Sequence, residues 1–182
     1  MALSTWKIDP SHSAIAFSVR HMVVSKTRGR FTKWSGQLRF DPADPAASSV
    51  EVNIEPASLD TADADRDAHL RSPDFFDVEK FPTASFRSTK VEGKGGDRYK
   101  ITGDLTVHGV TKPVVLDVTY EGSGKDPWGG ERAGFNATTS LDRKQFGLEW
   151  NKALETGGLL VGEKVDLTLE IEAIKQATQQ AA

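Results

Sequence analysis

The sequence predicts an all-β chain folded as one antiparallel meander and closed into a barrel, with a single short helical insertion. Three observations predict it. Apolar and polar residues alternate with period two in run after run, the mark of strands that bury one face. Turn signals rich in Gly, Pro and Asp separate consecutive runs, at spacings that suit a barrel or sandwich. One stretch, residues 66–77, breaks the pattern with helix and turn residues that end in two adjacent phenylalanines, Phe75 and Phe76. Two neighbouring aromatics do not easily share one thin core, so the insertion reads as a cap over a greasy interior.

The elements follow in order. Residues 6–9 form a short opening strand. Ile15, Phe17 and Val19 then alternate with Ala16, Ser18 and Arg20. Residues 31–40 read as one long strand whose parity breaks before Gly36, with Phe31 on one face and Trp34, Leu38 and Phe40 on the other. A glycine there suits a bulge or corner. Val50, Val52 and Ile54 alternate with Glu51, Asn53 and Glu55. The helix comes next, between the fourth and fifth strands. Thr61 is its expected N-cap, Asp63, Asp65 and Asp67 fall in its first turns, and His69 and Arg71 fall near its end, as the macrodipole favours. Ser72-Pro73 starts a second short turn.

Residues 83–91 are the fifth strand. Tyr99, Ile101, Leu105 and Val107 share one parity, and Val114, Leu116, Val118 and Tyr120 follow. Ala133, Phe135, Ala137, Thr139 and Leu141 come next, then the cleanest run, Val165, Leu167, Leu169 and Ile171. Turns are expected at residues 41–45, 93–97 and 108–113. A longer loop over residues 122–130 holds Trp128, which is expected to pack within it. The barrel is expected over residues 1–175, with a polar, alanine-rich tail over 176–182 that frays.

Composition narrows the functional classes. The chain has 182 residues, enough for one domain with a sizeable core. It contains no cysteine, which excludes disulfides, thiol catalysis and thiolate metal sites. Lys plus Arg number 23 against 26 Asp plus Glu, a net charge of −3, so no basic footprint for nucleic acid is present. The small clusters Arg28-Gly29-Arg30 and Arg143-Lys144 read as solvated surface. The N-terminal residues lack a basic region followed by an apolar run, so no signal peptide is read and a cytoplasmic location is expected. No segment approaches transmembrane length.

The chemistry-bearing residues form no familiar motif. His12, His21, His69 and His108 match no short zinc spacing, and no metal or cofactor is expected. His21 shares parity with Ile15, Phe17 and Val19. It reads either as a core histidine bonded to backbone or as a polar contact for a ligand head group. Asp74 and Asp77 beside the phenylalanines suit helix capping, and Asp104 and Asp142 fall on outward parities. No carboxylate pair, nucleophile elbow or phosphate loop stands out. By pattern alone the inward face is either a filled core or the wall of a tunnel, because a barrel of ~8 strands is near the size where both occur.

An ordered set of segments resembles the YceI-like polyisoprenoid-binding family. The segments are Trp6-Lys7-Ile8-Asp9-Pro10-Ser11-His12-Ser13, Phe17-Ser18-Val19-Arg20-His21, Gly29-Arg30-Phe31, residues 66–77, Phe81-Pro82-Thr83-Ala84-Ser85-Phe86, residues 103–113, and Arg143-Lys144-Gln145-Phe146-Gly147-Leu148-Glu149-Trp150. The resemblance runs from Trp6 to Ile174. It implies an extended, lipocalin-like antiparallel barrel that holds a long isoprenoid, either a polyprenyl chain or the tail of an isoprenoid quinone, and it tips the inward face toward a tunnel. The expected walls are Phe17, Val19, Phe31, Phe86, Leu105, Phe135, Leu148 and Trp150, with His21 at a head group and Phe75 and Phe76 as lid. The expected activity is sequestration, storage or transport, not catalysis. Two alternatives stand beside it: an enzyme acting on a lipid or quinone through His21, and a structural or interaction module with a filled core. An exposed strand edge would favour a homodimer.

Overall fold

The structure, a computed structural model, describes residues 2–178. Its eleven strands form one antiparallel sheet. They are β1 (Ser4–Ile8), β2 (Ala14–His21), β3 (Ser25–Phe31), β4 (Trp34–Phe40), β5 (Ser49–Ile54), β6 (Leu59–Asp60), β7 (Ala84–Gly93), β8 (Arg98–Val107), β9 (Val110–Lys125), β10 (Glu131–Asp142) and β11 (Val161–Lys175). The helix α1 (Ala64–Arg71) stands between β6 and β7. Eight strands close into a barrel in the order β1-β4-β5-β7-β8-β9-β10-β11, and β11 returns to β1 through Trp6↔Lys175 and Ile8↔Ala173.

The barrel is tall because three of its strands are bent in two. β11 has 15 residues, about 50 Å of extended chain, and its length lets it serve two partners. Its residues 165–170 pair with β2 and its residues 173–175 pair with β1. Between β1 and β2 lies a 3₁₀ turn, Pro10–His12, capped by the Asp9 carboxylate, which accepts from the Ser11 N–H at 3.0 Å. β5 and β6 are divided by a similar turn, Pro56–Ser58. β3 and β4 are divided at Thr32-Lys33, whose two N–H groups donate to Ser58 Oγ at 3.2 and 2.9 Å. The parity break expected before Gly36 therefore sits here, and Gly36 lies in regular register opposite Val52.

β3 has no sequence signal as a strand. Lys26 and Arg28 alternate with Thr27 and Gly29, so no apolar row marks it; the pairing with β2 from Ile15↔Phe31 to His21↔Ser25 makes it one. The β8–β9 hairpin is tighter than expected. Val107 pairs with Val110 around a two-residue turn, His108 (φ 55°) and Gly109 (φ 71°), the double positive φ of a type I′ turn. Pro113 thus falls inside β9 opposite Asp104.

The helix cap also differs from expectation. Asp63, not Thr61, is the N-cap, accepting from the Arg66 N–H at 2.9 Å. Thr61 instead donates its N–H and hydroxyl to Asp67 Oδ1, at 2.9 and 2.5 Å, in a buried pair. Thr61 fails as cap because it is committed to this link between β6 and the helix.

One end of the barrel is closed by aromatic packing. Phe40 meets Tyr99, Tyr120 and Phe135 with ring centroids 5.7, 5.0 and 5.2 Å apart, beside buried Trp6, Ala133 and Ala173. After β11 the Gln176 N–H donates to Thr5 O at 2.8 Å. Residues 179–182 of the expected tail lie outside the described residues.

Candidate functional site

In a closed barrel every second residue of each strand points inward. Here the inward rows do not meet. They leave between them a cavity of about 150 Å³, lined by residues that include Ile15, Leu38, Ile54, Ile101, Leu116 and Leu169. Ile54, Ile101, Leu116, Phe135, Leu169 and Ile171 are only partly buried although they pack on the core. Their free faces border this space. Apolar cavities of this order stay dry and accept hydrocarbon in preference to water. The lining has few polar groups: Arg39, Ser48, Ser49, Tyr99 and Thr139. Burial, with Asp97 nearby, pushes the Tyr99 phenol up from its ordinary value, so it remains a neutral hydroxyl at physiological pH.

Two glycines shape the walls. A Cβ at Gly103 would collide with the Phe86 ring, and one at Gly29 would collide with the Phe17 ring. Each ring lies over the glycine of the neighbouring strand, in the space a side chain there would take, which draws it toward the wall.

The expected site residues fall into three places. Phe86, Leu105 and Phe135 line the cavity. Phe17, Val19 and Phe31 continue the inward row beyond Ile15, where Phe17 opposes Leu167 and Val19 opposes Val165. Phe17 packs on Phe31 at 5.4 Å, and Phe76 packs edge-on against Phe31 at 6.0 Å, so this apolar row ends under the segment after α1. His21 closes the row opposite Ser25 and Val161. Phe75, Leu148 and Trp150 lie elsewhere. Phe75 packs on His69 at 5.1 Å and on Trp150 at 5.4 Å, and His69 meets Trp150 at 4.5 Å. The two adjacent phenylalanines therefore part, one toward the barrel row and one into a clasp.

Arg143 holds that clasp. Expected as solvated surface with Lys144, it is only 4% exposed. It donates to the carbonyls of Leu148, Gly162 (2.8 Å) and Val161 (3.4 Å), and its guanidinium lies 5.9 Å from the Phe75 ring. Lys144 is at the surface, 3.0 Å from Glu163. Trp128, expected to pack within its loop, is 86% exposed; its N–H serves the Asp126 carboxylate while its ring projects outward. The aliphatic lining residues Ile54, Ile101, Leu116 and Leu169 were readable as period-two runs. They stand outside the expected wall set, which holds Val19, Leu105 and Leu148 beside its aromatics.

The histidines do not converge on one another, but one joins a carboxylate cluster. His69 Nε2 lies 2.8 Å from Asp74, and His108 Nδ1 lies 3.2 Å from Phe146 O. His12 Nδ1 is 2.9 Å from Asp9, and ligand atoms of Asp9, His12 and Glu172 lie within 4.8 Å of one another. A cation is already at that point. The Arg132 guanidinium bonds Asp9 at 3.0 Å, Asp126 at 3.1 Å, and Glu172, which ties the turn after β1 to β10 and β11. The Ser11 hydroxyl first, then His12 and Arg132, hold the Asp9 carboxyl well below its ordinary value. A depressed carboxyl contributes stability above its unfolded value of 3.8 and loses it as pH falls through the folded value. Asp9→Asn is therefore expected to lower Tm at neutral pH and to flatten the decline of Tm below about pH 4, read by thermal melts across pH.

Comparison with known proteins gives a consistent result. The YceI-like domain matches residues 6–173. A UPF0312 protein of Vibrio cholerae serotype O1 is 45% identical over 166 residues, covering 91% of this chain and 84% of the relative. The crystal structure of Burkholderia cenocepacia BcnA superposes with a TM-score of 0.81 at 27% identity, covering 91% of this chain and 98% of that one. A polyisoprenoid binding domain from Saccharophagus degradans shares the fold, with a TM-score of 0.67 at 14% identity over 96% of this chain and 100% of that one. No helix among the described residues is long and apolar enough to cross a membrane.

Proposed function

The chain belongs to the YceI-like domain family, and from that premise we propose that it binds a long-chain isoprenoid, a polyprenyl chain or the tail of an isoprenoid quinone, inside the barrel. Its role is sequestration, storage or transport. The observation that carries this reading is the apolar cavity within the barrel, whose wall residues are inward-facing yet fail to fill it. The name of the Saccharophagus degradans domain points to the same ligand class.

The energetics suit such a ligand. Each buried CH₂ contributes ~0.8 kcal/mol, so one five-carbon prenyl unit is worth roughly 3–4 kcal/mol gross. Several units would pass the practical ceiling near ~20 kcal/mol, and ordering a flexible chain offsets the excess. Binding should be tight and tolerant of chain length. Phe86, Leu105 and Phe135 act as walls in this reading. Phe17, Val19 and Phe31 extend the apolar path, Phe76 covers it, Phe75 with Leu148 and Trp150 anchors the cover, and His21 meets a polar head. The strongly displaced groups, Asp9 and Arg132, belong to an ion-pair knot and not to the cavity lining, which supports binding over catalysis.

Native mass spectrometry of the purified protein, beside a denatured organic extract, tests the proposal. The expected result is a bound mass that resolves on extraction into species spaced by isoprene units. A clean apoprotein that also refuses added polyprenyl and quinone ligands would sink it.

A further inference from the structure

The β2–β3 hairpin ends in a feature that neither fold nor cavity requires. Its turn places Met22 at φ 53° and Val23 at φ 67°, with the Val24 N–H donating to His21 O at 3.3 Å. This is a type I′ geometry, which strongly prefers Asn-Gly. A β-branched valine at positive φ is a genuine outlier. The chain nonetheless sets Met-Val-Val there, and all three project into solvent, Val24 to 82%. A second loop joins the tip. The Met22 N–H donates to Leu160 O at 2.9 Å, and Leu159 is likewise exposed. Four apolar side chains therefore crown one end of the molecule. At the opposite end, among the described residues, Trp128 is the single large apolar side chain that projects.

Charge borders this crown on one side. β2 and β3 turn Arg20, Lys26, Arg28 and Arg30 to their outer face, and Arg20 stands directly opposite Lys26. Like charges in register destabilise a strand pair. Asp166 lies 3.9 Å from Lys26 and Asp60 lies 3.7 Å from Arg30, whereas Arg20 and Arg28 form no salt bridge among the described residues. A basic stripe leading to an apolar tip, on a chain of net charge −3, is complementary to an anionic lipid surface.

We propose that the β2–β3 hairpin tip, with Leu159, docks on an anionic phospholipid bilayer, Met22, Val23 and Val24 entering the interface while Arg20, Lys26 and Arg28 face the head groups. The inference rests on the isoprenoid-binding reading for its purpose: the inward row of the same hairpin, Ile15, Phe17 and Val19, runs from the cavity toward this tip, so docking would align the interior with the hydrocarbon that supplies or receives the ligand.

Vesicle flotation of the full chain tests it, using isoprenoid-free phosphatidylcholine vesicles with and without about one part in three phosphatidylglycerol. Wild type is expected to float with the anionic vesicles and to be released as salt screens the charges. The double variant Met22→Asn, Val23→Gly suits the turn better, so its Tm should rise by a few degrees while vesicle binding falls at least about tenfold. Arg20→Gln and Arg28→Gln should each weaken binding about fivefold, and Trp128→Ser should leave it unchanged. Wild type remaining unbound, a double variant that floats as well as wild type, or a tip that instead holds two copies together in sedimentation would overturn the proposal. Ligand content is read separately by extraction, so loss of the docking surface and loss of the isoprenoid reading are distinct results.

Discussion

Replacing Ala137 with phenylalanine is expected to weaken isoprenoid binding by two to three orders of magnitude while the barrel stays folded. Ala137 is a buried inward residue of β10, between Val118 of β9 and Leu169 of β11, and it lines the cavity. A phenyl ring there projects into a space of about 150 Å³ and displaces ligand. Losing room for one prenyl unit removes roughly 3–4 kcal/mol gross, which is two to three orders of magnitude in affinity. The fold tolerates the change because the ring enters existing empty volume; overpacking costs ~1–3 kcal/mol even in a full core, and new apolar burial offsets part of it. The measurement is the amount of extracted isoprenoid per protein, beside the Tm and circular dichroism of the same sample. A folded Ala137→Phe protein that carries ligand as well as wild type would place the ligand outside the cavity.

Arg143→Leu carries the largest expected loss of stability. Among the described residues the buried guanidinium has no ionic partner in direct contact, and it spends its donors on three carbonyls, those of Leu148, Val161 and Gly162. Burial lowers its pKa from the ordinary value, and a guanidinium still stays charged. Leucine leaves the carbonyls unmatched, which costs about 3–5 kcal/mol in total, a fall in Tm of roughly 10 °C for a chain of this size. Arg143→Lys should recover little, because an ammonium is a compact point charge and cannot span three acceptors in a fork. Hydrogen exchange should report the loss first over residues 148–162 and around Phe75, since Arg143 joins these segments. If Arg143→Leu melts as wild type does, the carbonyls have found other partners and the clasp is not held by this residue.

The parts of the fold that were legible in sequence are those where one physical signal dominates. β8 to β11 bury one face along their length, so Val165, Leu167, Leu169 and Ile171 alternate cleanly with polar neighbours. β3 was illegible because its inward positions are Thr27 and Gly29, the latter left bare to accommodate the Phe17 ring. The turn before β9 is shorter than its residues suggest because Pro113 reads as a breaker, yet it lies inside β9 in register opposite Asp104. The helix was legible from its charge order, but its cap shifted by two residues when Thr61 was recruited by Asp67. Arg143 looked like half of a surface dipeptide. Nothing in its sequence neighbours reveals that the chain returns at residues 161–162 to cover it.

By itself the sequence determined the all-β class, the meander, the helical insertion and the kinship with YceI-like domains, because each depends on local periodicity, turn chemistry or an ordered set of short segments. Only the tertiary structure decided which inward residues border open space. Phe17 and Phe86 have the same pattern as Ile15 and Leu105, and whether a ring fills the lumen or lies along the wall depends on a glycine brought beside it by the fold, Gly29 across the strand pair for Phe17 and Gly103 for Phe86. The fate of Phe75 and Phe76 was settled in the same way, by Trp150 and Phe31, residues far away in the chain. Alternation specifies a face, whereas the volume left behind that face is set by side chains from several strands at once, and that quantity exists only when the barrel has closed.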